Sequence, residues 1–190
     1  MLKWLARGIL KVGGWSTAGA LPESPKAVFV AAPHTSNWDG VWALVYKVAV
    51  GLDIRFFAKH TLFWFPLNLL LRGLGGIPLD RSAAASAVDE AVRMFAENES
   101  FYFGLAPEGT RSLTDGWKTG FYRIALEAGV PVVAGFLDYG NRRIGIHPAV
   151  ELSGNADADL ARLADLYKDI EGRWPEKASP IRFQTKRPPQ

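Results

Sequence analysis

The chain has 190 residues, 48% of them hydrophobic and 22% charged, with a formal charge of +3, which is enough apolar matter for one packed domain, short for two, and not the profile of a disordered polymer. Cysteine is absent, which excludes a disulfide framework, a thiolate zinc site and a cysteinyl acyl-enzyme, and accords with a reducing compartment. The basic balance suits an anionic partner, yet no zinc-ligand set, RNP-like motif or long Lys/Arg run points to nucleic acid, and no segment reaches the roughly 20 apolar residues of a membrane-spanning helix.

From the amino terminus, Leu2, Leu5, Ile9 and Val12 recur at helical spacing, while Lys3, Arg7 and Lys11 fall on another face, with Trp4 and Trp15 nearby. Over residues 1–20 this pattern reads either as a basic amphipathic helix lying in a lipid headgroup layer or as an ordinary helix packed on the domain. Charges are scattered through the segment and no secretory signal is evident. The run 27–32 is expected as a buried strand, followed by a helix near 40–50 and a short strand at 54–58. Residues 62–72 are too apolar all round for a surface helix. They are expected as buried core, the commoner fate of such runs, or as the floor of a site for a fatty chain.

A strand at 77–79, a helix at 83–98, a strand at 101–105 and a helix at 117–129 come next, then strands at 131–137 and 142–146 and a helix at 156–172. The tail from Trp174, with Pro175, Pro180, Pro188 and Pro189, is expected to be extended and partly loose. Strands alternating with helices predict a single α/β domain over 21–175, with a mostly parallel central sheet flanked by helices and an extended tail at 176–190.

Three polar clusters each follow a short apolar strand. Pro33-His34-Thr35-Ser36-Asn37-Trp38-Asp39 sets a histidine five residues before an aspartate. A carboxylate that holds one imidazole nitrogen leaves the other free to take a proton from a hydroxyl. The plainer alternative makes His34 a turn residue and Asp39 the N-cap of the next helix. Asp80 and Arg81 end the strand after Gly75-Gly76. Pro107-Glu108-Gly109-Thr110-Arg111 projects a carboxylate, a hydroxyl and a guanidinium from one loop, and arginine is the side chain best shaped to grip a phosphate. Local surface ion pairs, Asp80 with Arg81 and Glu108 with Arg111, are the alternative there. In a parallel sheet all three strand ends share one rim, which gathers these residues at one crevice.

The ordered clusters resemble the motifs of the glycerolipid acyltransferase family. His34 and Asp39 match its His-x4-Asp motif, and 75–81 resembles its Gly-x-Ile-Phe-Ile-Asp-Arg motif. Residues 106–112 resemble Phe-Pro-Glu-Gly-Thr-Arg-Ser, with Ala106 in place of the aromatic, and 130–134 resembles Val-Pro-Ile-Val-Pro. The resemblance spans about residues 25–140. It implies transfer of a fatty acyl group from acyl-CoA or acyl-carrier protein to a hydroxyl of a lysophospholipid-type acceptor, 1-acylglycerol-3-phosphate first among them, in phospholipid synthesis. His34 would be the general base and Asp39 its orienting partner. Asp80, Arg81, Glu108, Gly109, Thr110 and Arg111 would bind the acceptor head, with Arg111 on its phosphate. No cofactor or metal is implied beyond the acyl carrier, His60 and His147 being isolated and expected to be structural. The expected setting is the cytoplasm, peripheral on the inner face of the membrane. Another lyso-lipid acceptor, such as one containing an amino acid, and a non-catalytic membrane-binding module are the competing readings. A serine hydrolase is not among them, because Gly14-Trp15-Ser16-Thr17-Ala18 precedes the first expected strand instead of forming a strand-to-helix elbow.

Overall fold

A computed structural model describes residues 2–79 and 84–185. In chain order its elements are α1 (Leu2–Val12), β1 (Ser16–Ala18), β2 (Lys26–Ala32), α2 (Asn37–Val50), β3 (Ile54–Lys59), α3 (Leu67–Gly73), β4 (Gly76–Leu79), α4 (Ala84–Glu97), β5 (Phe101–Leu105), α5 (Gly120–Ala128), β6 (Val132–Asp138), β7 (Arg143–Val150) and α6 (Ala156–Tyr167). The seven strands form one sheet in the order β1-β7-β6-β2-β5-β3-β4. Every neighbouring pair is parallel except β6 with β7. β2, an unbroken apolar run after Lys26, lies centrally and is buried along most of its length, as a strand covered on both faces must be. The fold is the α/β class that the alternation of elements predicts.

Side-chain alternation along the strands divides the core in two. Val28, Val30, Phe101, Phe103 and Val132 point towards α4, α5 and α6. Ala27, Phe29, Val133, Leu137, Ile144 and Ile146 point towards α1 and α2. The step from β3 to β4 runs across the sheet in the same sense as the step from β2 to β3. Right-handed crossovers therefore place α3 in the same layer as α2.

Several segments differ from the sequence reading. β1 is an edge strand where none is expected, held parallel to β7 from Ser16 to Ala18. α5 starts only at Gly120, because the backbone of Trp117 is already bonded to the tail: Trp117 N–H donates to Arg182 O and Gln184 N–H to Trp117 O. Phe183 packs on Tyr122 with ring centroids 5.4 Å apart, so the proline-rich segment is extended but pinned as far as the description reaches. α6 ends at Tyr167, whose hydroxyl reaches Val30 O and Gly135 O within the paired stretch of β2 and β6.

Two further differences bear on function. α1 buries Ala6 and Leu10, not the stripe of Leu2, Leu5, Ile9 and Val12, which is exposed. Its basic stripe leans on α2 instead: Arg7 Nε donates to Ala49 O, and Lys3 lies against Gly51. The carboxyl end of a helix carries unpaired carbonyls and favours cations, which accounts for this orientation. The run 62–72 is neither core nor cavity floor. A 3-10 turn at His60–Leu62 leads into it, and only from Leu67, after Pro66, is it helical, as the seven-residue α3, which has no buried residue. α3 packs on β4 at the sheet edge. Among the described residues, no helix is long and apolar enough to cross a membrane.

Candidate active site

β2 delivers its loop to the carboxyl rim of the sheet, and the loop turns at once into α2. Ser36 is the N-cap and Asp39 the third helical residue, the two forming a reciprocal capping box. Asp39 is thus part of a cap without being the N-cap residue. Its Oδ2 accepts from Thr35 N–H at 2.7 Å and Ser36 N–H at 2.8 Å, and lies 3.3 Å from His34 Nδ1. One carboxylate therefore fixes the helix start and orients the imidazole. The alternatives of cap and dyad prove to be one arrangement. Burial pushes the Asp39 carboxyl up, but hydrogen bonds from His34, Ser36, Tyr139 and Thr35 together outweigh it and leave its pKa below the ordinary value. The imidazole is partly exposed. With Nδ1 engaged, Nε2 is the nitrogen left for a substrate.

Tyr139, which belongs to no motif, is the second support. From the turn between β6 and β7 its hydroxyl donates to Asp39 Oδ1 at 2.8 Å. Burial, then the neighbouring Asp39, push its pKa well above the ordinary tyrosine value, so it remains a donor. Trp15 packs edge-on against its ring at 5.0 Å. The chain after α6 closes over the same loop: Tyr139 N–H donates to Glu171 O, and Trp174 N–H to Thr35 Oγ1 at 3.2 Å.

β5 is the neighbour of β2, so the loop after it lies beside His34. Glu108 is fully buried, 0% exposed. Its Oε1 accepts His34 N–H at 2.7 Å, so in this structure it meets the histidine loop and not the solvent-facing crevice where an acceptor head would sit. Oε2 meets no donor at hydrogen-bond geometry, Ser179 being the polar group beside it. Burial is the larger influence and pushes this carboxyl above the ordinary glutamate value. A second cavity of about 290 Å³, lined by Trp117, Tyr167 and Ser179, backs Glu108 on the far side. Gly109 sits at φ 68° in the turn, where a side chain is strained. The Lys118 side chain crosses it so closely that an added Cβ would meet Lys118 Nζ at 2.8 Å. Thr110 is half-buried and Arg111 exposed. Asp80 and Arg81 lie outside the described residues; β4, which leads to them, ends on the same rim, three strands from β2.

Between α2 and the sheet runs an apolar cavity of about 240 Å³ that reaches His34 and Asp39 at one end and Lys47 at the other. Eight residues of helix separate Asp39 from Lys47, about 12 Å at 1.5 Å per residue. The space exists because small residues face it, Gly40 and Ala43 from α2 and Gly104 and Gly135 from the sheet. At Gly104 an added Cβ would meet Ile54 Cγ2 at 2.7 Å. Lys47 is buried and donates to Ile54 O and Leu74 O. Burial lowers its pKa, with the nearby Asp53 opposing.

The backbone amides of His34, Thr35 and Ser36 are all committed to the carboxylates of Glu108 and Asp39. They are therefore not available to stabilise an oxyanion. His147 packs on Phe136 at 4.7 Å, away from the crevice, and no group of metal-ligating side chains occurs among the described residues.

A histidine–carboxylate pair at one end of an apolar cavity in an α/β sheet is an arrangement that can take a proton beside an apolar ligand, which is an enzyme's geometry. The comparisons show the class of enzyme. A family model described as acyltransferase matches residues 17–135, and the chain belongs to that family. Among solved structures, the 1-acyl-sn-glycerophosphate (LPA) acyltransferase PlsC from Thermotoga maritima is similar, with a TM-score of 0.60 and 21% identity over 88% of this chain and 75% of that one. At that identity the likeness concerns the fold. No curated protein matches.

Proposed function

We propose that this acyltransferase moves a fatty acyl group from a thioester, acyl-CoA or acyl-carrier protein, to a hydroxyl of a phosphate-bearing lyso-lipid, with 1-acylglycerol-3-phosphate as the leading acceptor. The observation that carries the reading is the His34–Asp39 pair at the mouth of the apolar cavity beneath α2. The acyl chain lies in that cavity with its carbonyl carbon at the mouth. His34 Nε2 takes the proton of the acceptor hydroxyl as the oxygen attacks that carbon. The tetrahedral intermediate collapses, the carbon–sulfur bond breaks, and the imidazolium returns the proton to the departing thiolate. Asp39 holds the tautomer that leaves Nε2 unprotonated beforehand and stabilises the imidazolium afterwards. No covalent acyl-enzyme is needed.

The test is thiol release from palmitoyl-CoA and from acyl-carrier protein with a panel of lyso-acceptors, including amino-acid-containing ones. Release that requires a phosphate-bearing lyso-lipid supports the reading; release without any acceptor makes the protein a thioesterase and removes it.

Two narrower outcomes are expected. Arg111→Ala raises the acceptor KM by about tenfold or more, the worth of one charge-assisted hydrogen bond, and leaves the donor KM unchanged. An unchanged acceptor KM would take Arg111 off the phosphate. Tyr139→Phe removes one donor from Asp39 and so raises the Asp39 pKa. The activity then falls by about three- to tenfold, and the acidic limb of the kcat/KM profile moves to higher pH. A profile that merely drops without moving would make Tyr139 a packing residue.

A further inference from the structure

The chain after α6 returns to the active site, and it lies outside the residues that the family model matches. Three contacts clip it to the His34 loop and the β6–β7 turn. Tyr139 N–H donates to Glu171 O at 2.8 Å, and Trp174 N–H donates to Thr35 Oγ1 at 3.2 Å. Between them Gly172 is packed so closely that an added Cβ would meet Pro33 Cγ at 3.0 Å and Thr35 Oγ1 at 3.1 Å. A segment fixed at three points presents its side chains with little ordering left to do when a ligand arrives.

What it presents is a pair of cations around one indole. The Arg173 guanidinium lies 5.8 Å from the Trp174 ring centre and 6.0 Å from that of Tyr139, and Lys177 Nζ lies 5.5 Å from that of Trp174. Both cations are exposed. No carboxylate among the described residues lies within ion-pair distance of either. Neither is buried, so packing does not require them there, and like charges gathered at one place repel. Beside a reaction centre, such a pair concentrates an anion. Arginine in particular takes a phosphate with two parallel hydrogen bonds.

Position says which phosphate. The loop bearing Arg111 follows β5 and the turn bearing Tyr139 follows β6; these strands are the two neighbours of β2, so they flank the His34 loop on opposite sides. Arg173 is also set back from the reacting nitrogen. His34 Nδ1 meets Asp39, Asp39 meets the Tyr139 hydroxyl, and Arg173 lies beyond them against the Tyr139 ring. In 1-acylglycerol-3-phosphate the phosphorus is roughly four bonds from the attacking oxygen, about 5 Å along an extended chain. In the donor, the pantetheine arm puts roughly thirteen bonds between the thioester sulfur and the carrier's phosphate, about 15 Å when extended. Only the longer arm reaches from His34 past Asp39 and Tyr139.

We propose that the segment 171–177 is the phosphate subsite of the acyl donor. Arg173 and Lys177 bind the phosphate of the pantetheine arm, which acyl-CoA and acyl-carrier protein share, and donor and acceptor enter on opposite sides of His34. The assignment to the donor rests on the acyl-transfer reading; the binding of a phosphate by these two cations does not.

The experiment is calorimetric titration of the full chain with three probes, for wild type, Arg173→Ala and Lys177→Ala. The probes are coenzyme A, pantetheine, which lacks the phosphates, and 1-acylglycerol-3-phosphate below its micellar concentration; donor and acceptor KM are measured beside them. Lys177 is exposed, so its removal opens no core, and circular dichroism checks the fold of both variants. Each variant is expected to bind coenzyme A at least about tenfold more weakly, the worth of one charge-assisted hydrogen bond, with the donor KM rising in step. Pantetheine and the acceptor are expected to bind wild type and variants alike. Coenzyme A binding unchanged in both variants, or no binding of it by wild type, overturns the proposal. So does a loss confined to 1-acylglycerol-3-phosphate, which would give the two cations to the acceptor head. Because binding is read without turnover, wild type that holds coenzyme A through these residues yet transfers no acyl group would sink the acyl-transfer reading alone.

Discussion

His34→Ala lowers acyl transfer by about 10²–10⁴-fold, the usual worth of a positioned general base, while leaving the melting temperature close to that of wild type. The separation of the two effects follows from the geometry. Asp39 loses one of four partners but retains Thr35 N–H, Ser36 N–H and the Tyr139 hydroxyl, so α2 keeps its cap. Glu108 binds the backbone N–H of residue 34, which alanine also possesses. The histidine ring is partly exposed, so its removal opens little core. Acceptor-dependent thiol release measured beside a thermal melt checks both halves. Near-wild-type turnover would remove His34 as the base; a collapse of the melt would make the residue structural.

Much of the sheet is legible in the sequence because its central strands are unbroken apolar runs. The segments 27–32, 101–105 and 131–137 have nothing else to become, and they lie together as β2, β5 and β6. The less legible parts are those in which a distant contact decides. Ser16 to Ala18 is a strand only because the edge of β7 is free to receive it. The apolar stripe of α1 points outward because the basic stripe finds the carbonyl end of α2, a partner some forty residues away. The run 62–72 has a core composition, but α3 lies at the sheet edge and buries none of its residues.

The same holds for the site. His34, Asp39 and the 106–112 loop are local motifs, and the parallel neighbours β2 and β5 bring them together as the shared rim implies. Their division of labour is not local. A carboxylate in a Pro-Glu-Gly-Thr-Arg turn reads as a group aimed at substrate, yet Glu108 is turned inward under the histidine loop. Tyr139 carries no motif, and only the β6–β7 turn sets its hydroxyl on Asp39. Gly104 and Gly135 acquire meaning once the strands align them beneath α2.

Glu108 supplies the other large effect, and a pair of substitutions separates its shape from its charge. Glu108→Ala leaves the part-buried His34 N–H without its partner, which costs about 1 kcal/mol, and lets the histidine loop shift. A displacement of about 1 Å in a reacting group is enough to lower turnover by about 100-fold. Glu108→Gln keeps a carbonyl oxygen for that N–H and is expected to keep most of the activity. The pH dependence adds a second readout. Burial raises the folded-state pKa of Glu108 above the ordinary 4.5. Its protonated form is therefore favoured by folding. The contribution to stability is full below the unfolded value and is lost as pH rises through the folded one. Denaturant unfolding across that rise should show wild type losing stability relative to Glu108→Gln as pH increases. Parallel curves would mean that the group does not titrate between the folded and unfolded states as its burial requires. If the glutamine variant is as inactive as the alanine variant although its fold and melting temperature are intact, the negative charge itself acts on the reaction, and the inward-facing carboxylate must turn towards substrate during turnover.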